Sequence, residues 1–334
     1  MLFGFILAVS LVLASLGWLA ATDVLALGKA DSVVEVTVPR DYTIDSVSDV
    51  LHDAGLIKYK FLFKLYAKFS HADTKISGGT YQLNTNFDYR ALVVGMTKSG
   101  SAKVEVEVTI PEGYSMKKIF ELLEENSICY AEDLWKTAAE HDFEYDFLSS
   151  DTLGQEKRLE GYLFPDTYKF YMNDRPERVI DKFLSNFNNK FTDEMWAQAD
   201  ELGYTVREIV TIASIIEREA AAGDDRGDMA SVIYNRLNSG DLKYLQMDST
   251  IDYVIDATGE DFSTDIDSPY NTYKYPGLPE GPISNPGIAS IQAALNPNNT
   301  SYYYFALGKD GVHHFFNSYS AHEEFVSSSE YAGN

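Results

Sequence analysis

Positive charge and cysteine are both scarce in this sequence. Its 334 residues include 27 Lys and Arg against 51 Asp and Glu, which gives a formal net charge of −24. Because nucleic-acid binding requires a positive surface, this balance argues against a nucleic-acid partner. Cys129 is the single cysteine, which excludes an internal disulfide framework and a cysteine-rich metal site. With 45% apolar residues the chain is too hydrophobic to be disordered, and its length fits one large domain or a few small ones.

Charged side chains are missing from the start of the chain. Leu2–Ala21 is apolar almost throughout, and about twenty helical residues match a hydrocarbon core of roughly 30 Å. A secretory signal core is typically about 7–15 residues, so the sequence predicts an uncleaved transmembrane anchor over residues 1–27. A single N-terminal span usually exports the chain after it, so we expect a single-pass protein of the cell membrane with the rest of the chain extracytoplasmic. A cleaved signal and a buried core helix remain alternatives, and no Lys or Arg precedes the span to set its orientation.

An internal repeat comes after the apolar run. The segment Thr37–Leu51 resembles Thr109–Leu123, with Thr, Pro, Tyr and Leu at equivalent positions. Alternating valines before each proline predict a strand, and Thr43 and Ser115 then stand where an N-cap hydroxyl would begin a helix. We therefore expect a small α+β region over residues 30–155.

The remaining residues, 156–334, read mainly as helices. A strongly periodic helix is predicted over 206–220, because its isoleucines and alanines recur on one face. Asn285-Pro286 reads as a cap and a first-turn proline. Further helices are predicted over about 176–189, 193–202 and 228–238, and a hairpin over 302–317 precedes a last helix.

The segment Ala213–Ala220 carries the best candidate for acid catalysis. Glu217 and Glu219 lie about 80° to either side of the apolar stripe, at the margin of a core. Partial burial disfavours the charged form and raises a carboxyl pKa, which suits a general acid near neutral pH. The alternative is that both glutamates pair with nearby arginines and only flank a buried helix. Helix geometry does not say which of the two matters.

Three other features carry weaker signals. His313, His314 and His322 lack the spacing of a metal site, so no metal is expected and a structural or substrate-facing role is preferred. Asp248 either caps a helix or contacts a substrate. The loop of residues 270–287 is rich in Tyr, Pro and Gly, and its rings either stack on sugars or belong to the core.

Several segments together resemble a known family, the endolytic murein transglycosylases of the MltG/YceG type, and the similarity runs over nearly the whole chain. The segments that carry this resemblance are Glu160–Thr167, Ala213–Ala220, Val232–Leu237, Leu245–Asp248, Tyr270–Tyr273, Gly277–Pro279, Gly281–Gly287 and the tail Phe316–His322. The resemblance implies an α+β fold with an N-terminal transmembrane helix. It further implies a LysM-like subdomain over 30–155 and a mixed α/β catalytic domain over 156–334.

The resemblance also implies roles for individual residues. It makes Glu219, the second glutamate of the Glu-Arg-Glu run, the catalytic carboxyl group. The residue after it is often a hydroxyl in the family and is Ala220 here. The residues to which it gives a substrate-binding role are Glu160, Asn235, Gln246, Asp248, Tyr270, Asn271, Tyr273, Asn285, Asn317 and His322. Neither a metal nor an organic cofactor is required.

The expected activity is endolytic cleavage of the bond between N-acetylmuramic acid and N-acetylglucosamine in nascent peptidoglycan. Such cleavage would leave 1,6-anhydro ends and terminate strand elongation. The implied partners are peptidoglycan glycan strands, cell-wall synthases and, through the N-terminal helix, the membrane. One alternative is a hydrolytic muramidase that uses Asp248 or Glu160 as a second carboxylate. The other is a non-catalytic scaffold that binds cell-wall glycan.

Overall fold

The computed structural model of the chain describes residues 2–97, 104–220 and 225–333. Helices dominate these ranges, and the strands form two-stranded sheets. The helices are α1 (Leu2–Val24), α2 (Ile44–Asp53), α3 (Lys60–Ser70), α4 (Tyr89–Gly95), α5 (Met116–Glu125), α6 (Ala131–Glu140), α7 (Pro176–Lys190), α8 (Asp193–Leu202), α9 (Val206–Glu219), α10 (Arg226–Asn238), α11 (Asp248–Thr258), α12 (Ile288–Leu295) and α13 (Tyr319–Val326). The strands are β1 (Val33–Val38), β2 (Gly79–Asn84), β3 (Glu105–Thr109), β4 (Thr167–Tyr171), β5 (Tyr304–Leu307) and β6 (His313–Phe316). The predicted α+β class is therefore confirmed.

Tertiary contacts divide the chain into two compact units. Unit one comprises residues 1–108, 125–129 and 169–175, and unit two comprises 109–124, 130–168 and 176–334. This division differs from the sequence-based boundary between residues 155 and 156. The physical reason is that the second copy of the repeat bonds within unit two, where Asn285 O accepts from Gly113 N at 3.0 Å.

Unit one is built on an antiparallel pair of strands. β1 and β2 run in the register Val33↔Asn84 to Val38↔Gly79, and Val36 and Val38 face a core that includes Phe63, a residue of α3. The turn after β1 leads into α2, whose N-cap is Thr43 as predicted. Its hydroxyl accepts from Ser46 N in a capping box, which satisfies a donor that the helix leaves open.

The first helix, α1, covers the apolar run at the start of the chain. Its last turn holds Asp23, which is 3% exposed and accepts hydrogen bonds from Lys58 N (2.8 Å), Tyr59 N (2.9 Å) and the Tyr89 hydroxyl (2.6 Å). Leu13 is exposed, which argues against the buried-core alternative. Within residues 2–97, 104–220 and 225–333, no helix is both long and apolar enough to cross a membrane. The predicted transmembrane anchor is therefore not confirmed.

The centre of unit two is α9. Thr205 and Glu208 form a capping box at its start, and Ile209, Ile212 and Ile216 are completely buried, as the periodicity predicts. The middle of the helix is buried on its other faces too, because α8, α10, α11 and α12 all pack against it. A helix enclosed in this way holds the residues of its last turn in defined surroundings.

Two local predictions in unit two need correction. α12 begins at Ile288 with Gly287 as its N-cap, so Asn285-Pro286 is not the start of that helix. The reason is that the Asn285 side chain bonds elsewhere, donating to Tyr114 O at 2.9 Å and accepting from Leu163 N at 2.8 Å. The hairpin β5–β6 is present but shorter than predicted, and its register runs from Tyr304↔Phe316 to Leu307↔His313.

Candidate active site

Glu219 is the last residue of α9, and its carboxylate lies at the start of another helix. Ser249 N, in the first turn of α11, donates to Glu219 Oε1 at 3.2 Å. The first N–H groups of a helix have no intrahelical partner and carry partial positive charge, so they stabilise a carboxylate. After Glu219 the backbone becomes extended at Ala220, which ends the helix.

The surroundings of Glu219 raise its pKa. Burial is the main cause, and the negative charge of Asp248 acts in the same direction. Hydrogen bonding from Ser249 and the charge of His313 oppose the shift without cancelling it. A carboxyl group in this position keeps its proton to a higher pH than an ordinary glutamic acid, and it has a stabilised anionic form available once the proton leaves.

Glu217 has different surroundings, although only one residue separates it from Glu219. Its Oε2 accepts from Gly287 N at 3.0 Å and from the Ser290 hydroxyl at 2.8 Å, and its Oε1 lies 4.0 Å from Arg226 Nη2. Glu217 therefore holds the start of α12 against α9 and is already bonded on both sides. Of the two glutamates that helix geometry left open, Glu219 stays the predicted acid.

The segment before α11 brings polar side chains close to this carboxyl group. Tyr273 donates through its hydroxyl to Asp248 Oδ1 at 2.5 Å, and the charge of Glu219 contributes to the raised pKa of Tyr273, whose main cause is burial. Asp248 is the first residue of α11 and Met247 occupies the N-cap position, so the predicted capping role of Asp248 is not confirmed. Asp248, Tyr273 and Glu219 thus lie in one neighbourhood.

Arg236 organises the same segment and was missed in the sequence analysis. Its guanidinium donates to Leu245 O at 2.5 Å and to Gln246 Oε1 at 3.2 Å, and it lies 5.1 Å from the centre of the Tyr304 ring. Gln246 has a φ of 52°, a left-handed conformation that is rare for residues other than glycine. The sequence did offer a signal for it: Arg236 directly follows Asn235 in the segment Val232–Leu237, which is one of those that carry the family resemblance.

Asn235 and His322 lie around the C-terminal hairpin. The Asn235 amide donates to Thr300 O at 3.0 Å and to Tyr302 O at 2.9 Å, so it holds the chain that leads into β5. The His322 ring is 5.6 Å from the ring of Tyr304, and burial lowers its pKa. Asn317 comes directly after β6 and is exposed.

Glu160 and Asn285 form a buried network within unit two. Glu160 Oε1 accepts from Met116 N at 2.8 Å and from Asn285 Nδ2 at 3.0 Å, while Oε2 accepts from the Tyr253 hydroxyl at 3.0 Å. Burial raises the pKa of Glu160 to about 7. Because both carboxyl oxygens already accept hydrogen bonds and the side chain is 2% exposed, this network supports the backbone around it.

Part of the aromatic loop, residues 270–287, is buried in unit two. Tyr270 is 8% exposed and its ring lies 4.9 Å from that of Tyr253, so it belongs to the core. Asn271 is completely buried, and its amide donates to Thr264 O at 2.9 Å and Ile266 O at 2.7 Å. These two residues shape the loop, while Tyr273, two residues further on, reaches Asp248. The predicted substrate contacts of all these residues stay predictions.

All of the predicted site residues belong to unit two. In the ranges that the structure describes, no group of three or more His, Cys, Asp or Glu side chains is arranged to hold a metal ion. The fold and the site together define a class: an α+β protein whose candidate catalytic group is one half-buried carboxyl group with a raised pKa at the end of a central helix.

Comparison with known proteins places the chain within a family. The YceG-like family matches residues 36–328. The chain belongs to the YceG-like family. A crystal structure of a YceG-like protein from Listeria monocytogenes is similar, with a TM-score of 0.56 and 30% sequence identity over 87% of this chain and 98% of the other.

Two curated relatives carry the name endolytic murein transglycosylase. The protein from Bacillus subtilis strain 168 is 30% identical over 321 residues, which cover 89% of this chain and 86% of the relative. The protein from Streptococcus pneumoniae strain D39 is 30% identical over 322 residues, which cover 88% of this chain. The match spans 58% of the length of the pneumococcal protein.

Proposed function

We propose that this chain is an endolytic lytic transglycosylase, a carbon–oxygen lyase that cuts peptidoglycan glycan strands, with Glu219 as its acid. The observation that carries the proposal is the raised pKa of Glu219 beside the N-terminus of α11. The names of its relatives support the same activity and the same substrate class.

The chemistry requires one carboxyl group. Protonated Glu219 donates to the glycosidic oxygen while the bond to C1 of N-acetylmuramic acid breaks through an oxocarbenium-like state. The C6 hydroxyl of the same sugar then attacks C1 and closes a 1,6-anhydro ring, and its proton returns to the Glu219 carboxylate. Because the nucleophile belongs to the substrate, no second carboxylate has to activate water.

The surroundings of Glu219 suit both halves of this cycle. Burial favours the protonated form that the first half requires. The hydrogen bond from Ser249 N stabilises the carboxylate that the first half produces. A fully exposed glutamate would lose its proton well below neutral pH and could not act as the acid there.

A hydrolytic muramidase is the second candidate, because Asp248 supplies another carboxylate in the same neighbourhood. Its charge contributes to the raised pKa of Glu219, after the larger effect of burial. Glu160 suits this role poorly, since its two oxygens already accept three hydrogen bonds. Hydrolysis would produce reducing ends instead of anhydro ends.

The cellular setting is also a proposal. We infer that α1 associates with the cell membrane, because Leu11 and Trp18 are among its many exposed apolar side chains. The catalytic unit would then work outside the cytoplasm beside cell-wall synthases, and its cuts would end the elongation of new strands. The strand–helix region of unit one would hold glycan in a LysM-like manner. Flotation of the full chain with lipid vesicles, compared with a Leu11→Lys, Leu13→Lys variant, tests the membrane association.

Product analysis tests the activity. The purified full chain is incubated with uncrosslinked nascent glycan, and the chain ends are identified by mass spectrometry. We expect 1,6-anhydro ends from the wild type and a loss of at least about 10³-fold in rate for Glu219→Gln. Glu201→Gln, at an exposed glutamate of α8, is the matched control and should cleave normally.

Each other result has a defined meaning. If the products had reducing ends, the protein would be a hydrolytic muramidase and not a transglycosylase. A wild type that binds glycan without cutting it would favour the scaffold. If Glu219→Gln cut as fast as the wild type, Glu219 would not be the acid.

A further inference from the structure

A buried histidine–aspartate pair lies in unit two outside the residues assigned so far. His313 Nδ1 and Asp225 Oδ2 are 2.6 Å apart, and the two residues are 9% and 8% exposed. His313 begins β6, and Asp225 directly precedes α10. A contact this short between buried groups fixes the imidazole, and the Phe305 ring packs edge-on against it at 5.3 Å.

Helix capping does not explain the position of Asp225. It is the N-cap residue of α10, where an aspartate usually accepts a hydrogen bond from its own helix, yet it makes no such bond. Its Oδ2 bonds to His313 instead, and its Oδ1 is buried without a hydrogen-bond partner among the described residues. The Asp225 carboxylate is therefore directed at the imidazole of His313, and the N-terminus of α10 lacks a side-chain cap hydrogen bond as a result.

The pairing selects one form of the histidine ring. A carboxylate is an acceptor, so Nδ1 must carry the hydrogen, and in neutral His313 the lone pair is then on Nε2. Nε2 makes no hydrogen bond to any residue in the described parts of the chain. An oriented imidazole with an available Nε2 lone pair is a proton acceptor.

The pair lies beside the last turn of α9. Arg226, the neighbour of Asp225, places its Nη2 4.0 Å from Oε1 of Glu217, in the same turn as Glu219. His313 is also close enough that its ring, when protonated, opposes the raised pKa of Glu219, which burial dominates. A proton acceptor and the proposed acid are thus neighbours.

We propose that His313, held by Asp225, is a second catalytic residue that takes the proton from the attacking C6 hydroxyl. This inference rests on the proposed function and adds a step to it. The atoms balance: Glu219 gives its proton to the leaving oxygen, O6 bonds to C1, and the O6 proton moves to His313 Nε2. Transfer of that proton to the Glu219 carboxylate then restores both groups, and nothing is oxidised or reduced.

Electrostatics favours this order of events. When the sugar bond breaks, Glu219 becomes negative, and an imidazolium formed nearby at that moment is attracted to it. The Asp225 carboxylate stabilises the same imidazolium through Nδ1–H, as an aspartate does in hydrolytic triads. Without His313, the Glu219 carboxylate would have to collect the hydroxyl proton directly.

The test uses the full chain and cleavage of nascent glycan under single-turnover conditions. We expect His313→Gln to slow the chemical step of the folded protein by about 10²–10⁴-fold, with the folded fraction checked by its melting temperature. Asp225→Asn should move the hydrogen to Nε2 and cost about 10²-fold. His314→Gln is the matched control, because the neighbouring His314 pairs with Asp310 at the surface, and it should stay within about twofold of the wild type.

Two further readouts separate catalysis from structure. Added imidazole should restore part of the activity of His313→Ala, which a purely structural histidine would not allow. Side-chain ¹⁵N NMR should show the Nδ1–H form of His313 in the wild type and the Nε2–H form in Asp225→Asn.

The contrary outcomes are distinct. If the wild type cuts glycan and His313→Gln cuts within about threefold of it, Glu219 acts alone and this inference is wrong while the proposed function stands. If His313→Ala loses stability and imidazole restores nothing, the pair is structural. If the wild type does not cut at all, the proposed function and this step are both overturned.

Discussion

Three glutamates of unit two show how far the surroundings of a single residue determine its use. Glu217 accepts two hydrogen bonds at the start of α12, Glu219 meets the N-terminus of α11, and Glu160 is enclosed with three donors. Only Glu219 combines a raised pKa with a place beside Asp248 and Tyr273, the polar groups of the candidate site. The same type of side chain thus holds neighbouring segments in place at positions 217 and 160, and is a candidate acid at position 219.

At this scale, the raised pKa of Glu160 predicts a pH dependence of stability. Its pKa is about 7 in the folded chain, against an ordinary value of 4.5. Below pH 4.5 the carboxyl group of Glu160 is protonated in both the folded and the unfolded state. As the pH rises from about 4.5 to about 7 the unfolded state releases it first, so the folded state loses about 3 kcal/mol of stability.

Glu160→Gln removes this titration and should abolish that part of the loss. The measurement is the free energy of unfolding in urea at several values between pH 4.5 and 8, for the wild type and the variant. Groups common to both proteins cancel in the difference, and Glu201→Gln serves as the exposed control. Parallel stability curves for the wild type and Glu160→Gln would contradict the buried, protonated state.

At the scale of elements, the turn that carries Glu160 is pressed against α9. Gly161 has a φ of 90°, and a Cβ placed there would lie 2.6 Å from Val210 Cγ1 on α9 and 2.6 Å from Pro282 Cγ. Both the backbone conformation and the missing space therefore require glycine. The turn can approach α9 closely enough to support the candidate site only because this residue lacks a side chain.

Gly161→Ala should lower the free energy of unfolding by about 3 kcal/mol, from the left-handed backbone and from overpacking together. Gly203→Ala is the matched control, since Gly203 also has a positive φ of 77° but nothing within 4 Å of an added Cβ. It should cost about 1 kcal/mol. Urea unfolding of both variants measures the difference, and equal losses would show that Gly161 has room for a methyl group.

At the scale of the whole molecule, the net charge of −24 opposes the compact state. Like charges repel across the surface, and salt screens this repulsion by shortening the Debye length from about 30 Å at 0.01 M to about 3 Å at 1 M. The same excess of negative charge suits a protein whose proposed partner is a glycan and not a nucleic acid.

Raising sodium chloride over that range should therefore raise the melting temperature, by about 2–4 °C for each kcal/mol of repulsion removed. Scanning calorimetry at fixed pH measures the shift. An uncharged solute of equal osmolality is the control, because it does not screen charge. A melting temperature that falls with added salt would mean that attractive ion pairs outweigh the net repulsion.

Much of the fold is predictable from the sequence because its signals are local. The capping hydroxyl of Thr43, the apolar periodicity of α9 and the hairpin before the last helix all depend on residues within a few positions of one another. Asn285 shows where such reasoning ends. Its sequence context is that of a helix cap, but Glu160 and Tyr114, far away in the sequence, bind its amide.

The sequence by itself determined the α+β class, the approximate limits of α7, α8, α9 and α10, and the short list of carboxyl groups that could act as an acid. Only the tertiary structure decided that Glu217 holds α12 while Glu219 meets α11, and that Asp225 pairs with His313. Caps and periodicity are set by neighbouring residues, whereas the burial and charge around a carboxyl group depend on which distant segments pack against it.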